Sequence, residues 1–159
     1  MRFLCDAMLG GLARWLRAAG YDTLLAEGGW PDHTLIDLCV CTDRILLTKD
    51  RQLGLGARDT VRVILLADRS IDGNASELRE VLGVDWQHAP FTRCLVDNEL
   101  LGAAEPHHAE QVPLTSRSVA RPLWVCPACG RLYWPGGHVR RMQRRLASWQ
   151  SRSPSAEEY

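Results

Sequence analysis

Two short apolar runs, each followed closely by an aspartate, constrain the fold of this chain more than any other feature. Residues 45–47 (Ile-Leu-Leu) show no apolar–polar alternation, as in a strand buried on both faces of a parallel sheet, and Asp50 follows them. Residues 3–5 (Phe-Leu-Cys) are followed by Asp6 in the same way. Ligands bind at the carboxyl edge of the strands in open α/β sheets. The pattern therefore predicts an α/β fold with both aspartates at its functional edge.

Strand and helix patterns alternate through the first 85 residues. We predict strands at 2–5, 21–25, 45–47 and 61–66, and helices at 8–19 and 33–41. Residues 51–55 form a short helix or a turn, and a fourth helix is capped by Asn74 or Ser76 and closed by Gly83. This alternation favours a mostly parallel sheet with right-handed crossovers. In the first helix, Met8 and Trp15 fall on the apolar stripe. Arg14 and Arg17 fall on the opposite face, as solvated surface or as phosphate contacts.

Charge is distributed unevenly along the chain. Residues 1–110 hold 11 Lys/Arg and 17 Asp/Glu, whereas residues 111–156 hold eight arginines, no lysine and no acid. The acidic part suits metal binding, and the arginine-rich part suits phosphate, although a solvated basic face without a partner has the same composition. No apolar run approaches the roughly 20 residues that span a bilayer. With no signal-peptide pattern after Met1, we expect a cytoplasmic protein without a membrane partner, whose cysteines are reduced or metal-bound.

Four aspartates occupy equivalent positions in the predicted topology. Asp6, Asp32, Asp50 and Asp68 each follow a predicted strand or begin the next helix, so they meet at one edge of a parallel sheet. Carboxylate oxygens are the ligands that Mg²⁺ and Mn²⁺ prefer, and such a site can activate water against a phosphodiester. The alternative is structural: Asp32 is also an ordinary helix N-cap, and Asp50 and Asp68 also suit plain turns.

A cysteine motif lies in the second part of the chain. Residues 126–130 (Cys-Pro-Ala-Cys-Gly) have zinc-knuckle spacing, and residues 94–97 (Cys-Leu-Val-Asp) have the same spacing with only one cysteine. A site built on Cys94, Cys126 and Cys129 therefore needs a fourth ligand. Asp97 is the positional candidate, whereas His107, His108 and His138 are chemically better suited to zinc. A site with four protein ligands would support folding rather than catalysis.

Aromatic and basic residues follow the knuckle. Tyr133 and Trp134 precede a predicted helix at 139–149, in which Met142, Leu146 and Trp149 share one side and several arginines lie elsewhere. Aromatic side chains beside arginines can stack bases and hold a nucleic-acid backbone. They can equally pack a small module whose arginines are simply exposed.

Several motifs, in order, resemble one known family. They are residues 3–17 (FLCDAMLGGLARWLR), 20–23 (GYDT), 44–51 (RILLTKDR) and 126–142 (CPACGRLYWPGGHVRRM). Together they resemble the Mut-seven C-terminal RNase domain family, PIN-like ribonucleases with a fused zinc ribbon. The resemblance implies a PIN-like three-layer α/β/α fold, metal-dependent RNA cleavage at Asp6, Asp32 and Asp50, and ribbon ligands at Cys94, Cys126 and Cys129. The chain departs from the family at Asp97, where the first knuckle has its second cysteine.

These observations predict a nuclease domain at 1–86, a zinc-ribbon module with a basic helix at 87–150, and a disordered tail at 151–159. The leading hypothesis is a ribonuclease that uses Mg²⁺ or Mn²⁺ for catalysis and Zn²⁺ for structure. Its predicted RNA-binding residues are Arg14, Arg17, Lys49, Arg51, Arg140 and Arg141. The alternatives are a non-catalytic RNA-binding or RNA–protein assembly factor, and a metal-dependent phosphatase acting on small substrates.

Overall fold

The computed structural model describes residues 1–67, 70–118 and 120–151. Its strands are β1 (Arg2–Cys5), β2 (Asp22–Leu25), β3 (Ile45–Thr48), β4 (Val63–Leu65), β5 (Gly102–Ala103), β6 (Trp124–Val125) and β7 (Leu132–Tyr133). Its α-helices are α1 (Gly10–Ala18), α2 (Asp32–Thr42), α3 (Arg51–Ala57), α4 (Ile71–Leu82) and α5 (Gly137–Ser151). Short 3₁₀ helices occupy Ala7–Leu9, Pro106–Gln111 and Leu114–Ser116.

The first four strands form one parallel sheet in the order β2-β1-β3-β4. From β1, the chain crosses to β2 on one side of it. It then crosses back over β1 to β3, and continues in that direction to β4. Because crossovers between parallel strands are right-handed, this reversal places α1 on one face of the sheet and α2 and α3 on the other. The predicted, mostly parallel sheet is confirmed.

Apolar side chains fill both faces of this sheet. Phe3 and Cys5 face a cluster that includes residues of α1, α4 and α5, whereas Leu4 faces a second cluster with residues of α2 and α3. The two clusters arise because successive side chains of a strand point to opposite faces. The sheet is thus covered on both sides, and the three-layer α/β/α architecture is confirmed. The apolar runs without polar alternation predicted strands that are covered on both faces, and this prediction is correct.

Three local predictions were wrong at the starts of helices. Met8 was placed on the apolar stripe, but it lies in the 3₁₀ turn before α1 and is 67% exposed. The N-cap of α2 is Pro31, so Asp32 is the first helical residue rather than the cap.

Helix α4 begins earlier than expected, because the Ser70 hydroxyl accepts a hydrogen bond from the backbone N–H of Gly73. Its predicted end at Gly83 is confirmed by the left-handed backbone there.

The second part of the chain forms a small antiparallel sheet, β5-β6-β7, followed by α5. The predicted inward side of this helix is confirmed, since Met142, Leu146 and Trp149 are all buried. They belong to the same apolar cluster as Phe3 of the parallel sheet. The domain division at residues 86 and 87 stays a prediction. The predicted tail begins at Ser151, the last residue of α5, and 152–159 lie outside the described residues.

Arg17 joins the two parts. Its Nε donates to the Thr23 carbonyl in edge strand β2 at 2.8 Å, and its Nη1 donates to the carbonyls of Leu95 and Val96 at 3.2 and 2.6 Å. The Asn98 side chain satisfies the second backbone polar group of Thr23, because its Oδ1 accepts from the Thr23 N–H at 2.9 Å. Both backbone polar groups of Thr23 are thus paired, its carbonyl within the first part of the chain and its N–H across the interface.

The expectation that Arg17 is exposed alongside Arg14 was therefore wrong. Arg17 is only 7% exposed, and its guanidinium is directed at three backbone carbonyls. Burial, the largest influence, lowers its pKa. We assign Arg17 to the structure of the interface rather than to RNA binding.

Helix α5 is fastened to the rest of the chain by a mixed aromatic and ionic contact. Arg145 donates through Nη2 to both carboxylate oxygens of Asp72 at 3.1 Å, and its guanidinium lies 5.3 Å from the ring centre of Trp15. The Trp149 indole donates to Asp72 at 2.6 Å and packs edge-on against Trp15. This contact ties α5 to both α1 and α4. The charge of Arg145, one of the arginines of the C-terminal helix, is therefore neutralised within the fold.

None of the described helices combines the length and the apolar character that crossing a membrane requires.

We expect Arg17→Met to destabilise the chain by about 3 kcal/mol, because three carbonyls lose a buried donor while the aliphatic stem is kept. For a protein of this size, the loss corresponds to a fall in Tm of roughly 6–12 °C. Thermal unfolding followed by circular dichroism measures it. Arg14→Met, an exposed position on the same helix, is the matched control and should change stability by no more than about 0.5 kcal/mol. Equal stability of the two variants would contradict the role given to Arg17.

Candidate active site and metal centre

Asp6 and Asp50 lie at the point where the direction of strand order reverses. Asp6 follows β1, and Asp50 follows β3, the neighbouring strand; Cys5 is in register with Leu47. Their carboxyl ends therefore meet at the topological switch point, where open α/β sheets form their ligand-binding crevice. The sequence predicted the edge of the sheet, and the strand order shows that these two residues lie at its crevice.

The buried hydroxyl of Thr48 connects the two aspartates. Thr48 Oγ1 donates to Asp6 Oδ2 at 2.9 Å and accepts from the backbone N–H of Asp50 at 2.9 Å. A hydroxyl can donate and accept at the same time, so one side chain fixes both the Asp6 carboxylate and the Asp50 backbone. Thr48 is fully buried. This role of Thr48 was not predicted, although its position at the polar end of an apolar strand is a usable sequence signal.

Each aspartate keeps one carboxylate oxygen outside these contacts. Asp50 caps α3, and its Oδ1 accepts from the backbone N–H groups of Gln52 and Leu53 at 2.7 and 3.3 Å. Asp6 accepts through Oδ2. The contacts described for the two residues therefore involve neither Asp50 Oδ2 nor Asp6 Oδ1. A structural cap and a metal ligand are compatible in one carboxylate, because its two oxygens can serve separate partners.

Asp32 lies at the same edge but further out. It is exposed at the start of α2, the helix that leads from β2 back to the amino end of β3. Asp68 lies outside the described residues. The carboxylates of Asp6, Asp32 and Asp50 do not form a group whose ligand atoms all lie within 4.8 Å. Mg²⁺ does not require such closeness, because it usually keeps several waters and takes only one or two carboxylates from the protein.

A further carboxylate reaches this edge from α4. Glu77 Oε2 accepts from the backbone N–H of Ala67, shortly after β4, at 3.2 Å. The Glu77 carboxylate therefore lies beyond the carboxyl end of β4, although the residue belongs to a helix. One turn earlier, Asn74 is 3% exposed, and its buried Oδ1 has no hydrogen-bond partner among the described residues. Neither residue was predicted at this edge, because the pattern of acids after strands or at the starts of helices does not include positions inside a helix.

The second constellation is a group of four potential metal ligands. Cys94, Asp97, Cys126 and Cys129 offer ligand atoms that all lie within 4.8 Å of one another. Asp97 Oδ2 is 3.4 Å from Cys94 Sγ and 3.5 Å from Cys126 Sγ, and Cys94 Sγ is 3.9 Å from Cys129 Sγ. A tetrahedral zinc ion with bonds of about 2.0–2.3 Å places its ligand atoms about 3.3–3.8 Å apart. The donor set and its spacing are therefore compatible with zinc.

The two knuckles have the same backbone geometry. In each, the cysteine N–H donates to the carbonyl five residues later, from Cys94 to Glu99 and from Cys126 to Arg131. In each knuckle, the residue four positions after the first cysteine has a left-handed backbone, with φ of 69° at Asn98 and 70° at Gly130. Asn and Gly are the residues that tolerate this conformation best. Asp97 thus occupies the position that corresponds to Cys129, and no histidine joins the group within the described residues.

The surroundings of the thiols differ. Burial raises the pKa of Cys126 to about 12. Burial also acts to raise that of Cys94, but hydrogen bonds from the Tyr133 hydroxyl and from backbone N–H groups outweigh it, so the pKa of Cys94 is lowered. A hydrogen bond from Cys129 lowers the pKa of Asp97. The same Tyr133 hydroxyl accepts from the Leu95 N–H at 3.0 Å, which ties β7 to the first knuckle.

The predicted basic residues fall into two groups. Lys49 and Arg51 flank Asp50 at the switch point, and Arg51 is exposed. Arg14, Arg140 and Arg141 are exposed on α1 and α5. Arg14 Nη2 lies 3.1 Å from His138 Nε2, so α1 touches the first turn of α5. Because arginine only donates, Nε2 of His138 is the acceptor in this contact.

We expect Thr48→Val to disturb Asp6 and Asp50 together, because the isosteric change removes the donor to Asp6 and the acceptor of the Asp50 N–H. A buried N–H without an acceptor costs about 1–3 kcal/mol. Thermal unfolding gives the loss of stability, and amide hydrogen exchange at Asp50 should accelerate. Thr60→Val, at an exposed position, is the control. Unchanged exchange at Asp50 would show that the hydroxyl does not hold its backbone.

Comparisons with known proteins give one finding. The family model described as the Mut7-C RNAse domain matches residues 1–146. No curated protein and no solved structure matches the chain. The matched range includes both the carboxyl edge of the parallel sheet and the cluster of Cys94, Asp97, Cys126 and Cys129.

Proposed function

The chain belongs to the Mut7-C RNAse domain family, and from this premise we propose that it is a ribonuclease that hydrolyses RNA phosphodiester bonds with Mg²⁺ or Mn²⁺. Family membership indicates a ribonuclease-type function and an RNA substrate. The observation that carries the proposed mechanism is the meeting of Asp6 and Asp50 at the topological switch point, joined by Thr48. A crevice lined by carboxylates from two adjacent strands is suited to a hard divalent cation.

In the proposed site, Asp6 and Asp50 hold the metal, and Asp32 completes or orients its shell. A bound divalent ion would lower the pKa of water and stabilise the charge that develops on the phosphodiester. Thr48 fixes the Asp6 carboxylate so that its Oδ1 remains available. The first turn of α3 holds Asp50 through Oδ1, which leaves Oδ2 for the metal. Lys49 and Arg51 attract the phosphates on either side of the cleaved bond.

Glu77 is an additional proposed member of this site. Its carboxylate lies at the carboxyl end of β4, on the other side of β3 from Asp6. In this position, it can orient a water or extend the negative field that attracts the cation. Its contact with the Ala67 N–H leaves Oε1 for such a role.

We expect Asp6→Asn to reduce cleavage of single-stranded RNA in Mn²⁺ by at least about 100-fold, because the metal loses a charged ligand. The amide oxygen can still accept from Thr48, so Tm should change little. Gel analysis of a labelled RNA measures cleavage. Asp59→Asn, at an exposed site between α3 and the amino end of β4, provides the charge-matched control.

Metal dependence is best tested by omitting Mn²⁺, because a chelator would also remove a structural metal. Cleavage that persists in Asp6→Asn would refute this assignment of the active site. Cleavage that is absent from the parent chain with both Mg²⁺ and Mn²⁺ would refute the catalytic proposal itself.

We propose a structural zinc ion at Cys94, Asp97, Cys126 and Cys129. All four protein ligands are present, so the site would be closed and would stabilise the ribbon rather than catalyse a reaction. The replacement of a thiolate by a carboxylate makes the donor set harder and should weaken zinc binding.

We expect the purified chain to contain about one zinc per molecule, Cys126→Ser to lose it, and Asp97→Cys to retain it against a higher concentration of competing chelator. Metal content by mass spectrometry and competition with a colorimetric chelator measure these effects. His108→Ala is the control, because this histidine lies outside the cluster. Zinc loss in His108→Ala, or no change in Asp97→Cys, would contradict the proposed ligand set.

A non-catalytic RNA-binding or assembly factor is the second candidate. The observation that favours it is that Asp6, Asp32 and Asp50 do not form a compact group of carboxylates. This function predicts salt-sensitive RNA binding that is unaffected by Asp6→Asn and unaccompanied by cleavage. The Asp6→Asn experiment therefore separates the two functions directly.

A further inference from the structure

A cavity of about 560 Å³ lies where the ribbon, α1 and α5 meet. Its wall includes Arg14 from α1, Leu95 from the first knuckle, and residues 131–134 around β7. The first turn of α5, with Gly137 and His138, and the 3₁₀ helix Leu114–Ser116 also line it. This volume is in the range of small-molecule binding sites, about 300–1,000 Å³. The cavity is separate from the carboxyl edge described above, since it contains none of the proposed metal ligands.

The cavity is strongly cationic. Arg14, Arg131 and Arg140 line it together with His138, and none of the described lining residues is acidic. Among the described residues, none of these three arginines forms an ion pair within 4.0 Å. Arg145, which lies on α5 like Arg140, differs from these three arginines because it forms an ion pair with Asp72. The cavity therefore concentrates guanidinium groups, which bind phosphate oxygens in pairs.

The start of α5 reinforces this charge. Gly137, His138 and Val139 line the cavity, and they are the first residues of a 15-residue helix. N–H groups in the first turn of a helix lack intrahelical acceptors and carry partial positive charge. Together with the three arginines, these N–H groups form a positively charged environment that is complementary to a phosphate group.

An aromatic wall stands beside the cations. Trp134 is half-buried, and Gly136 allows its indole to approach the backbone, because a Cβ at residue 136 would lie 2.8 Å from Trp134 Nε1. Leu95 and Leu132 add apolar surface. Any of the four bases can stack on an indole, because every base has an aromatic face. Phosphate-binding and base-stacking groups thus line one cavity.

We propose that this cavity binds one nucleotide of a single-stranded RNA, with the phosphate on Arg14, Arg131 and Arg140 and the base against Trp134. A nucleotide is favoured over an acidic peptide because the apolar wall is aromatic and adjoins the cations. Arg14 lies eight residues after Asp6, about 12 Å along a helical path. The cavity would therefore hold the strand close to the metal-binding edge without contacting the cleaved bond.

This proposal rests on RNA as the substrate, so its test is separated from cleavage. Binding is measured on the full chain carrying Asp6→Asn, by fluorescence anisotropy of a labelled single-stranded RNA without Mg²⁺ or Mn²⁺. We expect Trp134→Ala to raise Kd roughly tenfold, as for loss of one base stack, and Trp134→Phe to restore most of the affinity. Arg140→Glu should raise Kd and reduce the salt slope by about 0.7 or more. Arg62→Glu, exposed next to β4 at the amino end of the strands, is the charge-matched control.

A second readout identifies the cavity itself. Adenosine monophosphate should shift the Trp134 indole N–H signal in a two-dimensional NMR spectrum, and this signal is assigned by its disappearance in Trp134→Phe. The spectrum also shows whether each variant is folded. No shift, or an equal loss of RNA affinity in Arg62→Glu and Arg140→Glu, would overturn the proposal. A shift of this signal by a poly-glutamate peptide at lower concentration than by the nucleotide would overturn it in favour of a protein-docking site.

The two proposals fail in different ways. Persistent cleavage in Asp6→Asn overturns the assignment of the active site and leaves the cavity assay unchanged. Loss of cleavage in Asp6→Asn, with RNA affinity that is insensitive to Trp134 and Arg140, overturns only the cavity.

Discussion

The buried guanidinium of Arg17 is the contact on which the arrangement of the whole chain depends. Strand β2 is an edge strand, and an edge leaves backbone donors and acceptors without partners. Arg17 pairs with the Thr23 carbonyl, and Asn98 pairs with the Thr23 N–H. Because Arg17 also holds two carbonyls of the first knuckle, the group that satisfies the sheet edge also positions the ribbon. The stability of the sheet and the placement of the cysteine cluster are therefore coupled.

This coupling has a consequence for function. The ribbon and the start of α5 lie against α1, the helix that follows Asp6, so α1 connects the cationic cavity with the carboxyl edge. Charge is then divided in space as well as along the sequence. Acidic groups collect at the end of the parallel strands, and arginines that form no ion pair among the described residues collect between the ribbon and α1. A polyanion that contacts both regions would need to be held by the second, because the first repels it until a cation is bound.

The same division explains which arginines are available. An arginine-rich segment suggests a continuous basic surface, but the fold uses its members differently. Arg145 pairs with Asp72 and packs against Trp15 and Trp149, which fastens α5 to the first part of the chain. Arg140, on the same helix, lines the cavity. Composition counts both residues equally, whereas only the second leaves its charge for a ligand.

Elements that depend on local pattern could be predicted from the residues alone. Apolar runs without alternation specified the buried strands, helical spacing specified the inward side of α5, and Cys-x-x-Cys spacing specified a knuckle, because each pattern reflects contacts between residues close along the chain. Helix starts were less predictable, since capping by Ser70 or Pro31 competes among several suitable residues. The roles of individual aspartates remain proposals.

Features that join distant segments depended on how the whole chain packs. Strand order placed Asp6 and Asp50 at one switch point and made Thr48 their common partner. The identical folding of the two knuckles selected Asp97 over the histidines for the cysteine cluster. The burial of Arg17 removed it from the candidate RNA-binding surface. The sequence pattern of α1 was the same for Arg14 and Arg17, and the difference arose because a knuckle some 80 residues later packs over one and leaves the other exposed.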